Sequence, residues 1–310
     1  MTTWPRITVV TPSYNQGRFL RATLESIHRQ AYPNLEHIVL DAASTDGSVD
    51  IIREFESRLS YWHSRPDRGQ SHAINDGFRR STGDILTWIN SDDQLAPNAL
   101  FTMAAALPDP DAPAWAIGGC LCVDEHGRET RRWSPAHVTL ERTLNWGVHY
   151  FFQPAVFWTR AMWARCGPLD EHLHYAMDFD LWLAFFSVAA PLIIRDDIGV
   201  HRSHGASKTS TGTTATLREF ATAIDKRLAH GPRRRGRRHL ARQIVRHANA
   251  EYYAGAYDAS RASLRAAIRT SPSVWAYPRL YQVAAKHVAG RSAVEWWWRL
   301  RARLQRTAVS

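Results

Sequence analysis

Three short apolar runs near the N-terminus each stop at a cluster of polar side chains, and no other feature constrains the fold as much. Ile7-Thr8-Val9-Val10-Thr11 stops at Pro12-Ser13-Tyr14-Asn15, His37-Ile38-Val39-Leu40 at Asp41, and Ile85-Leu86-Thr87-Trp88-Ile89 at Asn90-Ser91-Asp92-Asp93. Brief apolar runs bounded by turn-forming residues read as buried strands. The stretches between them carry helical spacing. Leu20, Leu24 and Ile27 share one face of a helix within 19–30. Ser48 can cap a second helix that turns Val49, Ile52, Phe55 and Leu59 inward, and Ala73, Ile74 and Phe78 mark a third.

This alternation predicts an α/β fold, a mostly parallel Rossmann-like sheet with helices on both faces. In such sheets ligands bind beyond the carboxyl ends of the strands, where all three polar clusters fall. Further along, Trp115–Gly119 and Leu192–Ile194 read as strands, 181–186 as a buried helix, and the Ser/Thr/Gly-rich stretch 207–216 as a loop. The remainder is helical and Arg-rich. Within it, Ala248–Pro272 has the spacing of one tetratricopeptide-like hairpin, which needs neighbours to bury its core.

Charge divides the chain. The net charge is +10, yet the segment from Arg202 onward holds 22 Lys/Arg against 5 Asp/Glu, so the first 201 residues are net acidic. A basic end of this kind is a solvated tail, a surface for anionic membrane, or a nucleic-acid contact. Three cysteines, Cys120, Cys122 and Cys166, are too few for a disulfide framework, and Cys120-x-Cys122 lacks the second pair a zinc site needs. There is no bilayer-length apolar run and no signal-peptide layout at Met1–Arg6. A cytoplasmic location is expected, with peripheral attachment to the inner face of the membrane as its variant.

Residues 7 to about 208 resemble the family-2 glycosyltransferases, which have the GT-A fold. The ordered matches are Thr11–Asn15, Asp41–Ser48, Asp67-Arg68-Gly69-Gln70, Ala73–Gly77, Gly83-Asp84-Ile85, Asn90–Asp93, Gly167–Glu171 and Met177–Trp182. Each is weak alone; their order and spacing carry the resemblance. It implies a GT-A domain over 1–208 and leaves a basic, mainly helical region over 209–310. It further implies inverting, metal-dependent transfer of a sugar from a nucleotide-diphosphate donor to the hydroxyl of a carbohydrate or lipid-linked acceptor, in surface polysaccharide or glycolipid assembly.

The resemblance also distributes roles. Thr11, Pro12, Tyr14, Asn15, Asp41, Asp46, Asp67, Gly69, Gln70, Asn75, Ser91, Arg202 and Lys208 fall on the nucleotide-sugar side. A nucleoside needs an acceptor for its base N–H and partners for its ribose hydroxyls, which suits Asp41 at a strand end. Asp46 and Ser48 are equally suited to helix capping. The diphosphate gains negative charge as the sugar leaves, and a hard divalent cation, Mn²⁺ or Mg²⁺, neutralises it. Asp92 and Asp93 resemble the family's D-x-D metal motif, with Asn90 where the first Asp often stands, and His204 resembles the histidine that approaches the metal. Asp178 matches the catalytic carboxylate that takes the acceptor's proton, and either it or Asp180 also suits a helix cap. Trp146, Tyr150, Phe151 and Phe152 are core residues or sugar-stacking groups. Trp296-Trp297-Trp298, among arginines, are core residues or anchors at a membrane interface.

Two other classes are weighed. Arg233–Arg238 suggests nucleic-acid binding, but no base-reading motif accompanies it and the acidic N-terminal part is left unexplained. A non-catalytic GT-A scaffold is disfavoured because Asp92, Asp93 and Asp178 are all present.

Overall fold

The structure, a computed structural model, describes residues 4–146, 150–205 and 214–289. The chain forms two compact units, Met1–Gly212 and Thr213–Ser310. Lys208 and the Trp296–Trp298 cluster lie outside the described residues.

The first unit is built on a nine-stranded sheet. In chain order its strands are β1 Ile7–Ser13, β2 Leu35–Asp41, β3 Tyr61–Ser64, β4 Ile85–Trp88, β5 Gln94–Leu95, β6 Trp115–Val123, β7 Glu129–Trp133, β8 Val156–Thr159 and β9 Leu192–Arg202. The spatial order is β3-β2-β1-β4-β8-β6-β9-β5, with β7 paired to β6. The first four strands are parallel, as the alternation predicts. Beyond β4 the sheet becomes mixed: β8 runs antiparallel to both β4 and β6, β7 antiparallel to β6, and β5 antiparallel to β9, while β6 and β9 are parallel. The sheet is thus parallel on one side and mixed on the other. The helical crossovers that impose parallel pairing end after β4.

Period-two patterning covers both faces. On one, Val10, Ile38, Leu40, Leu86 and Trp88 meet the helices α3 Gln70–Arg80, α6 Arg160–Cys166 and α7 Met177–Val188. On the other, Ile7, Val9, Ile85 and Ile89 meet α1 Gly17–His28 and α4 Ala99–Ala106. α2 Ser48–Phe55 packs Ile52 and Phe55 with Leu20, Leu24 and Val39. At the centre of the first face Trp88, Trp115, Trp158 and Trp182 are fully buried. The rings of Trp88 and Trp115 lie nearly parallel to that of Trp182, with centroids 5.7 and 6.0 Å away. α3 rests directly on β1, since a Cβ on Gly77 would stand 2.5 Å from Val10 Cγ1. Glycine is therefore a spacing requirement in the Asn75-Asp76-Gly77 signature.

Register then fixes where the polar clusters meet. Ser13 pairs with Asp41 and Asp41 with Ser64, so the carboxyl ends of β1, β2 and β3 finish level. Val10 pairs with Trp88, which sets Asn90 beside the end of β1. Cys120 and Cys122 occupy alternate positions on β6, buried and free.

The second unit is helical: α8 Thr214–Arg227, α9 His230–Tyr253, α10 Tyr257–Thr270 and α11 Pro278–Ala289. α9 and α10 form a helical hairpin. Gly255 at φ +80° makes the turn, and Ser260 Oγ donates to the Ala248 carbonyl at 2.7 Å. Arg237 ties α9 to Asp225 of α8. None of the described helices is long and apolar enough to cross a membrane.

Candidate active site

Two groups of polar residues occupy the carboxyl edge of the sheet, and they differ in chemistry. The first sits at the ends of β1 and β2. Asp41 is buried; its oxygens accept hydrogen bonds from the Ser44 amide (2.9 Å), the Ser44 hydroxyl (2.5 Å) and the Ser64 hydroxyl (2.6 Å). Asn15, left-handed at φ 50°, accepts from the Thr45 amide through its side-chain oxygen, while its own amide donates to Ser44 Oγ. Ala43 is also left-handed, at φ 59°. An alanine held there stores strain, and such strain concentrates in functional loops.

Asp46 serves two helices at once. Its carboxylate accepts from the Gly17 amide at the start of α1 and from the amide and hydroxyl of Ser48 at the start of α2. Burial pushes its pKa up, but these hydrogen bonds win and hold it below the usual carboxylate value. Tyr14 stands exposed beside this group, while the Thr11 hydroxyl is buried against His37 Nε2.

The second group lies where β4 ends and β9 passes. Asp92 Oδ2 is 2.9 Å from His204 Nε2. Asp93 is buried, and its carboxylate meets His201 Nδ1 (3.0 Å), the Arg202 amide (3.0 Å) and the Asn90 side-chain amide (3.1 Å). Burial, then the adjacent Asp93 charge, raises the Asp92 pKa against the opposing effect of His204. For His201, burial lowers the pKa, but the Asp93 charge and hydrogen bond outweigh it and the net shift is upward. The Arg202 guanidinium donates to the Asp92 and Asp124 carbonyls and lies over the Phe19 ring. Ser91 is buried, and Thr23 Oγ1 reaches the carbonyls of both Ser91 and Asp93.

Gln70 joins this group to α3. Its Nε2 donates to Asn90 Oδ1 at 2.7 Å, at the start of α3. The next residue, Ser71, points its hydroxyl at Met177 Sδ, 2.8 Å away. Asp178 follows at the N-terminus of α7, half-buried, its carboxylate accepting from the Phe179 amide. A carboxylate there is favoured by the helix dipole. Asp180 is buried deeper in the same helix.

Other predicted site residues hold loops. Asn75 clamps the backbone of Leu169 with both halves of its amide, and Arg68 pairs with Glu171, so the 167–171 turn is fastened to α3. Asp67 accepts from the Gly69 amide, with Gly69 at φ +112°. Trp146 and Phe151 pack on the buried core, Phe151 fully. His201, Thr23 and Ser64 have no role in the sequence motifs. Gln153 Nε2 holds the Trp88 carbonyl at 2.6 Å. The one sequence signal for His201 was its place three residues before His204.

Asp92 and His204, a carboxylate oxygen and an imidazole nitrogen in direct contact at 2.9 Å, are donors of the types that would hold a divalent cation, which would supply positive charge there. Among the described residues no group of three or more His, Cys, Asp or Glu side chains forms a metal cage. Two protein donors suit an ion whose other positions go to phosphate oxygens and water.

Known proteins resemble this chain in sequence and in fold. Residues 8–164 match the model of glycosyl transferase family 2. An uncharacterised glycosyltransferase of Mycobacterium tuberculosis (strain H37Rv) is 29% identical over 218 residues, covering 66% of this chain and 81% of the relative. The glycosyltransferase GlyG of Streptococcus pneumoniae is 34% identical over 122 residues, covering 38% of this chain and 40% of GlyG. Among solved structures, Staphylococcus aureus TarS 1–349 in complex with UDP-GlcNAc superposes with a TM-score of 0.67 at 18% identity, over 95% of this chain and 92% of TarS 1–349. The mannosyltransferase PcManGT of Pyrobaculum calidifontis, in complex with GDP-Man and Mn²⁺, gives a TM-score of 0.52 at 20% identity, over 98% and 81% of the two chains. Both structural likenesses concern the fold. An α/β transferase with its polar residues on the carboxyl edge of a GT-A sheet is thereby defined. The chain belongs to glycosyl transferase family 2 and is a glycosyltransferase.

Proposed function

We propose that this glycosyltransferase takes its sugar from a nucleoside-diphosphate donor and transfers it with inversion, aided by a divalent cation. The observation that carries the reading is the Asp92–His204 pair, an oxygen and a nitrogen donor brought together beside the end of β4. A cation held there supplies positive charge to the diphosphate. Asp41, with Asn15 and Tyr14 near it, receives the nucleoside, and Arg202 and Lys208 add charge on the phosphate side. Asp178 takes the proton of the attacking hydroxyl, and one base acting in one displacement inverts the anomeric carbon. TarS was solved with UDP-GlcNAc, and a putative teichuronic acid biosynthesis glycosyltransferase, TuaG of Bacillus subtilis, is 34% identical over 104 residues. The first supports a nucleotide-sugar donor and the second a role in surface polysaccharide assembly.

Thermal shift with UDP-, GDP- and dTDP-sugars, with and without Mn²⁺, tests the reading. At least one donor raises the melting temperature more with Mn²⁺ than without. Shifts from no donor in either condition would overturn it. The basic region from 209 onward is proposed to dock on the inner face of a membrane, supported by its charge. Co-sedimentation with anionic vesicles that falls with salt is the expected result.

A further inference from the structure

We propose that the second unit carries a binding face for an anionic glycan, built by Trp275, Tyr277 and Tyr281 among Arg238, Arg242 and Arg279. The inference rests on the chain's being a glycosyltransferase and on the proposed carbohydrate acceptor. Trp275 is 51% and Tyr281 53% exposed, and their ring centroids are 6.3 Å apart at 48°. The two rings stay open while their chain neighbours Val274, Leu280 and Val283 are buried, so they form a paired aromatic patch rather than scattered single residues. The aromatic face is not loose. Trp275 belongs to a 3₁₀ turn, Pro272–Ala276, and Tyr281 to the first turns of α11.

Arginines of α9 border it. The Arg242 guanidinium lies 5.6 Å from the Tyr277 ring centroid, and Arg238 Nε donates to Ser273 Oγ at 3.3 Å. Arg279 is exposed between Trp275 and Tyr281 in sequence. Over 230–289 the chain has 12 Lys/Arg and 2 Asp/Glu, so the field around the rings is positive.

The chemistry selects the partner. The electron-rich face of an indole or phenol attracts the weakly positive C–H groups of a sugar ring, and guanidinium groups bind carboxylate or phosphate in a forked geometry. Alternating sugar rings and anionic groups meet both demands. A bilayer is a poorer match. The strongly exposed large hydrophobic residues described in this unit are Tyr253, Tyr257, Trp275, Tyr281 and Val288, with no Leu, Ile or Phe to insert among acyl chains. The face would hold the growing polymer by its repeats while the first unit acts on one end.

Affinity electrophoresis of the full chain tests the proposal in gels holding polygalacturonate, phosphorylated dextran, neutral dextran or nothing. Separate titrations use phosphatidylglycerol vesicles and single-stranded DNA. Retardation is expected in one or both anionic polymers and not in neutral dextran; which polymer retards separates carboxylate from phosphate recognition. Trp275→Ala and Tyr281→Ala each weaken it about tenfold, and Arg279→Gln lessens its salt sensitivity. All three residues are exposed, and donor-induced thermal shift in each variant reports that the first unit is intact and reads the donor proposal separately. The proposal is overturned if the aromatic variants migrate as the unaltered chain does, if neutral dextran retards equally, or if the same variants lose vesicle or DNA binding while glycan binding is absent.

Discussion

The two polar groups on the carboxyl edge solve different problems with the same side chain. At the end of β2, Asp41 is surrounded by neutral donors, the hydroxyls of Ser44 and Ser64 and a backbone amide. At the end of β4, Asp92 and Asp93 face imidazoles. The histidines nearby follow the same division. Under the first group His37 is buried between Thr11 and His28; burial, and then the His28 charge, drive its pKa well below the ordinary value. In the second group Asp93 holds His201 above it. A carboxylate among neutral donors is suited to recognise a base. A carboxylate among cations, or groups able to become cations, is suited to handle the changing charge of a diphosphate.

That contrast is open to test. The largest effect belongs to Asp178, outside both groups. Asp178→Asn is expected to keep the donor-induced thermal shift and lose about 10²–10⁴-fold in sugar transfer; near-normal transfer would move the proton-accepting role elsewhere. Next come the neighbours Asp92 and Asp93, which the structure separates. Asp92→Ala removes one proposed cation ligand and is expected to abolish the Mn²⁺-dependent part of donor binding, with a smaller loss of stability than Asp93→Ala because one side-chain contact, to His204, is lost rather than three. Asp93→Ala removes the acceptor of three donors, of which the Arg202 amide is buried and His201 and Asn90 are partly so. It should cost about 3 kcal/mol and lower the melting temperature without donor by roughly 5–10 °C, as well as weakening donor binding. Equal melting temperatures for the two variants would erase the distinction.

Asp46→Ala probes the neutral end. Losing the shared cap of α1 and α2 should cost about 1–2 kcal/mol at neutral pH. Because the folded-state pKa of Asp46 is depressed, its contribution is present above the ordinary carboxylate pKa and is lost as pH falls through the folded value. The variant and parent should therefore converge in strong acid. The smallest effect concerns His28, whose pKa is lowered to about 4, first by burial and then by the Arg58 charge. The unfolded chain takes up this proton first as pH falls, so stability declines from about pH 6.5 toward 4. His28→Gln is expected to flatten the melting-temperature profile in that window; an unchanged slope would show that other groups govern it.

The sequence made one half of this molecule readable. β1, β2 and β4 are apolar and end at turn formers, so their existence, order and polar ends follow from the pattern. β3 is too short and polar to show, and β7, Glu129–Trp133, is largely exposed. β9 was visible only at Leu192–Ile194, because Arg195-Asp196-Asp197 interrupts its apolar run on a sheet margin. Strand direction leaves no local trace, so the antiparallel pairing beyond β4 could not be read. In the site, motif order located Asp92 and His204, but the Asp93–His201 contact spans 108 residues and appears only in three dimensions. The clamp of Asn75 on Leu169 likewise spans 94.

The stacked tryptophans give this fold an optical signature. Indole transitions in Trp88, Trp182 and Trp115, nearly parallel and about one ring-width apart, couple to one another in an asymmetric field. They are a strong source of near-ultraviolet circular dichroism. That signal depends on fixed packing and vanishes when a core loosens while its helices persist. Trp88 closes β4 two residues before Asn90, so the chromophore adjoins the carboxyl edge of the sheet. Light absorbed there gives a ligand-free readout of whether that edge is assembled.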